Sequence, residues 1–125
     1  GHDGSLATIH ANSAEDAVSR LMTMLGMTGT SFSEDTMATL IARAVHVVVH
    51  VSRMQDGRRR VTGIAEITGQ EGSSIHLNQL FIYERVGLTS DGSVIGRHSQ
   101  RAKTALAQKF KAAGIAVGAA SGELG

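Results

Sequence analysis

The chain has no cysteine, no proline and no tryptophan, and its 125 residues include only one tyrosine and three phenylalanines. Without cysteine there are neither disulfides nor thiolate metal sites, which fits a reducing compartment and makes the cytoplasm the expected location. The lack of proline has no physical account in the sequence. Scarce aromatics leave no stacking platform for single-stranded nucleic acid, and a formal net charge of +1 gives no general attraction for polyanions. No apolar run approaches the roughly 18 residues a membrane helix needs, and no basic segment followed by an apolar core opens the chain. Lysine is scarce too. Lys103, Lys109 and Lys111 are the only ones and none follows a glycine. The phosphate loop G-x-x-x-x-G-K-[ST], whose amides and lysine cradle a nucleotide, is therefore missing. Nor does any apolar strand end in the acidic pair that would hold Mg²⁺ and orient a water.

What is present reads as a single α/β domain with a modest core, since a chain this short buries only about two-thirds of its unfolded surface. It starts Gly1-His2-Asp3-Gly4 with no initiating methionine, as a portion of something longer would. Leu6 to His10 is a short apolar and β-branched run that predicts a brief strand leaving a glycine turn. From Asn12 the pattern turns helical. Asn12 is the expected cap with Glu15 three residues on, Ala14, Ala17, Val18, Leu21, Met24 and Leu25 share one stripe, and Gly26 stops it. After the polar loop from Thr28 to Ser33, Ser33 caps a second helix that Glu34 and Asp35 favour at its positive end, with Met37, Leu40, Ile41 and Ala44 facing the core. The two make a helical hairpin over 13–45.

A β portion follows over 46–84. Val47, Val48, Val49 and Val51 form a nearly continuous β-branched cluster, expected to be covered on both faces. Asp56-Gly57 marks a hairpin turn, a second strand runs from Arg60 to Thr68, and Gly69 to Gly72 leads to a third from Ile75 to Tyr83. Asp91-Gly92 is another turn signal. A terminal helix is expected from Gln100 to Ala113, ending at Gly114, so that 98–125 reads as last helix and tail.

Of six histidines, His46 and His50 stand four apart in a strand, about 13 Å of chain, which is too far for a zinc pair without further ligands. No metal site is expected. His76 and His98 read as surface residues. His2 and His10 lie where a glycine loop enters a strand end ahead of a capped helix, a place where α/β sheets bind ligands. Arg58, Arg59 and Arg60, with Arg53 before the turn, read as a solvated, aggregation-resistant strand edge or a subunit contact.

The run Gly1-His2-Asp3-Gly4-Ser5-Leu6-Ala7-Thr8-Ile9-His10-Ala11-Asn12-Ser13 resembles the histidine box, residues 1–13 here, of the type II and type IV secretion traffic ATPases. The likeness continues through Arg20-Leu21, Ile41 to Arg53 and Asp56 to Gly69 in the pattern of the pilus-assembly branch, often called CpaF-like. It covers roughly residues 1–96. From Arg97 onward the sequence departs from that pattern.

The resemblance implies an α/β fold that is the C-terminal portion of a RecA-like P-loop ATPase domain: short strand, helical hairpin, antiparallel strands, terminal helix. It implies that His2, Thr8 and His10 lie beside the γ-phosphate, that the longer parent uses ATP and Mg²⁺, and that this chain by itself binds neither. It also implies a homo-oligomer, a hexamer in the parent, that works with pilus or secretion components at the cytoplasmic face of the inner membrane. The alternatives are a non-catalytic interaction module of a secretion system and a histidine metal-binding protein.

Overall fold

The structure is a computed structural model that describes residues 4–29 and 31–114. Two helices come first, α1 (Ala14–Gly26) and α2 (Glu34–Ala44), then four strands, β1 (Val47–Arg53), β2 (Arg59–Glu71), β3 (Ser74–Leu88) and β4 (Val94–Gln100), and a short α3 (Ala107–Ala112). The strands form one antiparallel sheet in sequence order. Helices α1 and α2 pack on each other, with α1 against β1 and α2 across β2 and β3.

Local chemistry explains the helix ends. Ser33 Oγ accepts from the Thr36 amide at 3.2 Å, as its sequence position predicts. The α1 cap falls one residue later than expected, on Ser13, whose Oγ accepts from the Asp16 amide at 2.9 Å. The α2 stripe is also rotated. Met37, Ala38 and Ile41 are buried while Leu40 is 40% exposed. With Ala14, Ala17, Val18, Ala65, Leu80 and Val94 they make a thin core of mostly small side chains.

Three hairpins order the sheet. Met54 to Arg58 and Thr89 to Ser93 close in the same way, with the Gly57 and Gly92 amides donating to the Met54 and Thr89 carbonyls and φ values of 81° and 87° that suit glycine. Both lie at one end of the sheet. At the other end Gly72, with φ of 60°, turns β2 into β3 through two residues.

Several expectations are corrected. Leu6 to His10 is not a strand, because no neighbour among the described residues offers its backbone a ladder, and Leu6 is fully exposed. The valine cluster is not covered on both faces: β1 is an edge strand whose Val47, Val49 and Val51 are exposed in alternation with half-buried Val48, His50 and Ser52. The described residues form four antiparallel strands rather than three, and the fourth takes Gln100, so the last helix shrinks to six residues. Of the expected tail, residues 115–125 lie outside the described residues.

Among the described residues, one polar side chain sits wholly inside. Glu66 on β2 is 1% exposed, and its carboxyl accepts from Thr104 Oγ1 (2.7 Å) and the Ala105 amide (2.6 Å), with Asn78 Nδ2 at 3.5 Å. Arg101 donates its amide to the Leu80 carbonyl at 2.6 Å. The segment after β4 is thereby drawn across β3 and fastened to β2.

Candidate functional site

The extended segment ahead of α1 carries two of the three expected site residues. Thr8 and His10 are exposed and line one groove together with Ile9 and with Arg20, Thr23 and Met24 of α1. His2 lies outside the described residues. The groove is held open by a cap network rather than by a strand. Asp16 Oδ2 accepts from the Asn12 amide (2.8 Å) and from Arg20 Nε (3.1 Å), so one carboxylate fixes both the chain entering the helix and the guanidinium beside the groove. The Asn12 amide bond, then the Arg20 bond, hold Asp16 below the usual carboxylate range. Arg20 and Asp16 were not foreseen as site residues. Their spacing of four on a helix was the available signal.

Chemically the groove presents an imidazole, a hydroxyl and a guanidinium toward solvent. All can donate hydrogen bonds to an anion, and no carboxylate in it is free.

The remaining histidines sort differently from expectation in one case. His46 is exposed, and His50 Nε2 lies 3.1 Å from Ser52 Oγ. Among the described residues no cluster fit to hold a metal ion occurs. His76 is exposed, 3.9 Å from Glu71 Oε2. His98, expected at the surface, is half-buried: its Nε2 lies 2.8 Å from the Val61 carbonyl oxygen and its ring centroid 5.1 Å from that of Tyr83. The reason is a roll of the sheet. At the end bearing the two Asp-Gly turns, β4 curls back toward the start of β2, where Asp56 Oδ2 accepts from the Val94 amide at 2.8 Å.

Arg60 belongs to this rolled end and not to a solvated edge. It grips Asp56 with two parallel bonds, 3.0 and 2.9 Å, and lies over the Tyr83 ring, 5.8 Å from its centroid. Asp56 is held far below its ordinary range, first by Arg60 and then by the Val94 amide. Arg53, Arg58 and Arg59 remain exposed as expected.

The family model described as type II/IV secretion system protein matches residues 1–104. Two curated proteins of Mycobacterium tuberculosis, from the strains CDC 1551 / Oshkosh and ATCC 25618 / H37Rv, each named "Putative conjugal transfer protein", are 38% identical over 72 residues. That alignment covers 58% of this chain and 20% of each relative, so it spans about one fifth of the length of the curated relatives it matches. No helix among the described residues is long and apolar enough to cross a membrane.

Proposed function

Because this chain belongs to the type II/IV secretion system protein family, we propose that it is the nucleotide-sensing, C-terminal portion of a RecA-like ATPase that powers secretion or pilus assembly. The observation that carries this reading is the groove in which Thr8 and His10 stand beside Arg20, a set of donors with no free carboxylate, suited to the terminal phosphate of ATP. Phosphoryl transfer depends chiefly on positioning and on stabilising charge that spreads over the phosphate oxygens. His10 and Thr8, joined by His2, act there as a histidine box, and the Asp16 tie links the box to α1.

The phosphate loop and the ligands of Mg²⁺ come from outside these 125 residues. Asp16, the one acid bound into the groove's frame, is already engaged by the Asn12 amide and Arg20. In the parent the unpaired Leu6 to His10 segment joins the edge of the RecA-like sheet. Assembly is a CpaF-like hexamer at the cytoplasmic face of the inner membrane.

It follows that the 125-residue chain alone turns over no ATP above a buffer blank in a coupled assay with Mg²⁺. Turnover that co-purifies with the chain and survives repeated chromatography would show that the catalytic machinery has been misplaced.

A further inference from the structure

Strand β1 ends the sheet order, so one row of its backbone amides and carbonyls meets no other strand among the described residues. The His46 carbonyl accepts from the Ile67 amide and the Met54 amide donates to the Arg58 carbonyl, both on the β2 side. Alternation along the strand then turns the backbone groups of Val47, Val49 and Val51 outward. The side chains of the same three valines are 42, 54 and 51% exposed. The nucleotide-sensing role makes no use of this edge.

Open sheet edges are normally guarded by charge, a bulge or a curl. At the other end of the sheet β4 has such guards: Arg97 in its middle lies 3.6 Å from Glu84, and the amide of its first residue, Val94, is taken by Asp56. β1 has none. Apart from His50, its one ionisable residue is Arg53, the last of the strand. The extra residue at its bulge, Thr62, belongs to β2, so the outward row of β1 is unbroken. A free row of backbone donors and acceptors fits one kind of partner, another extended strand.

We propose that β1 pairs antiparallel with β1 of a second copy of this chain, about a twofold axis at Val49. Val49 then faces its own counterpart and Val47 faces Val51 of the second copy, so that three valine pairs line one side of the joint, a favourable cross-strand match. Charge and register select this arrangement. Parallel pairing would stack Arg53 on Arg53, whereas antiparallel pairing sets the two guanidinium groups about 27 Å apart along the strands. Sliding the second copy by two residues in one direction places Arg53 against Val47. Sliding it in the other direction needs Val45, whose amide already donates to the Ile41 carbonyl at 2.9 Å. Such a contact closes at two copies, so it is separate from any ring contact and independent of the ATPase function. It is also short, and its dissociation constant should be on the order of 100 µM.

The absence of cysteine gives a direct test on the 125-residue chain. Residues facing each other across a hydrogen-bonded antiparallel pair have Cα atoms about 5.5 Å apart, within disulfide range. With oxidised glutathione, Val49→Cys should therefore form a covalent dimer at least about tenfold faster than Val51→Cys, which is similarly exposed but about 13 Å from its counterpart. Val47→Cys mixed with Val51→Cys should cross-link where neither does alone. Sedimentation equilibrium of the unmodified chain should move from the monomer mass toward twice that mass as concentration rises through about 100 µM. The Val47, Val49 and Val51 amides should gain protection from hydrogen exchange in step. V49K, which sets like charges directly opposite, should stay monomeric throughout. Equal cross-linking of the Val49 and Val51 variants, a monomer at every concentration, or a dimer that V49K leaves intact overturns the proposal. Protection of the three amides in the monomer does so too, since a segment of the same chain would then cover β1.

Discussion

Replacing His10 by alanine in the longer ATPase that contains this segment is expected to lower the turnover number at least about a hundredfold, the usual cost of one lost donor at developing charge. The effect should fall on kcat with little change in KM, because an interaction made chiefly in the transition state is removed while ground-state nucleotide binding, supplied by the missing phosphate loop, persists. His10 is exposed, and no hydrogen bond from its ring to another side chain occurs among the described residues. The substitution should therefore leave the melting temperature nearly unmoved, which separates a catalytic loss from a folding loss. Thr8→Ala should act in the same direction and less strongly. Steady-state turnover at saturating ATP is the check, and wild-type kcat in the His10 variant would remove the histidine from the chemistry.

The largest expected effect on stability is at Glu66. Truncating it to alanine strands the Thr104 hydroxyl and the Ala105 amide, both bonded to its carboxyl across 38 and 39 residues of sequence, and leaves a void in a core that is already thin. Thr104 is half-buried and Ala105 exposed, so water re-satisfies their donors in part and each lost bond costs about 1 kcal/mol, to which the void adds. The sum is about 3 kcal/mol, or roughly 10 °C in melting temperature for a chain of this size. Glu66→Gln should cost far less, because its oxygen still accepts from Ala105 and its amide can turn toward the Thr104 hydroxyl. Circular dichroism melts of the two variants make the comparison. Equal loss in both would mean that the carboxyl itself is needed and that simple donor satisfaction is not enough.

The second helix cap, the first half of the α1 stripe (Ala14, Ala17 and Val18) and both Asp-Gly turns were legible because each is set by neighbours within four residues, whereas Met24, expected on that stripe, is 56% exposed. What escaped was set at a distance. The β2 strand alternates poorly in sequence because Thr62 and Thr68 are extra residues, skipped where Gly63 and Val61 pair with His50 and Val51, and where Ile67 and Gly69 pair with Leu77 and His76. The fourth strand was hidden by its polar end, Arg97 to Gln100, whose residues are held by β3 partners from Phe81 to Glu84. Glu66 and His98 gave no local sign of burial, since their partners Thr104 and Val61 lie more than 30 residues away, whereas the Asp56 partner of Arg60, four residues before it, was a local signal that went unread.

The first strand failed for the opposite reason. Its residues have strand preferences, but a strand exists only beside another, and the described residues supply none to Leu6 through His10. At the candidate site, Thr8 and His10 were legible through motif resemblance, whereas the groove that unites them with Arg20 depends on how the cap of α1 bends the chain.

The central claim is that His10 reads the terminal phosphate of a nucleotide bound outside this segment. The most direct test labels the histidine side chains isotopically within the assembled ATPase and compares the His10 imidazole resonances in ADP with those in ADP plus aluminium fluoride, which stands in for the transferring phosphoryl group. Distinct His10 shifts in the two states are expected, while His46 and His76 stay constant. Superimposable His10 spectra, with both ligands shown to be bound, would contradict it.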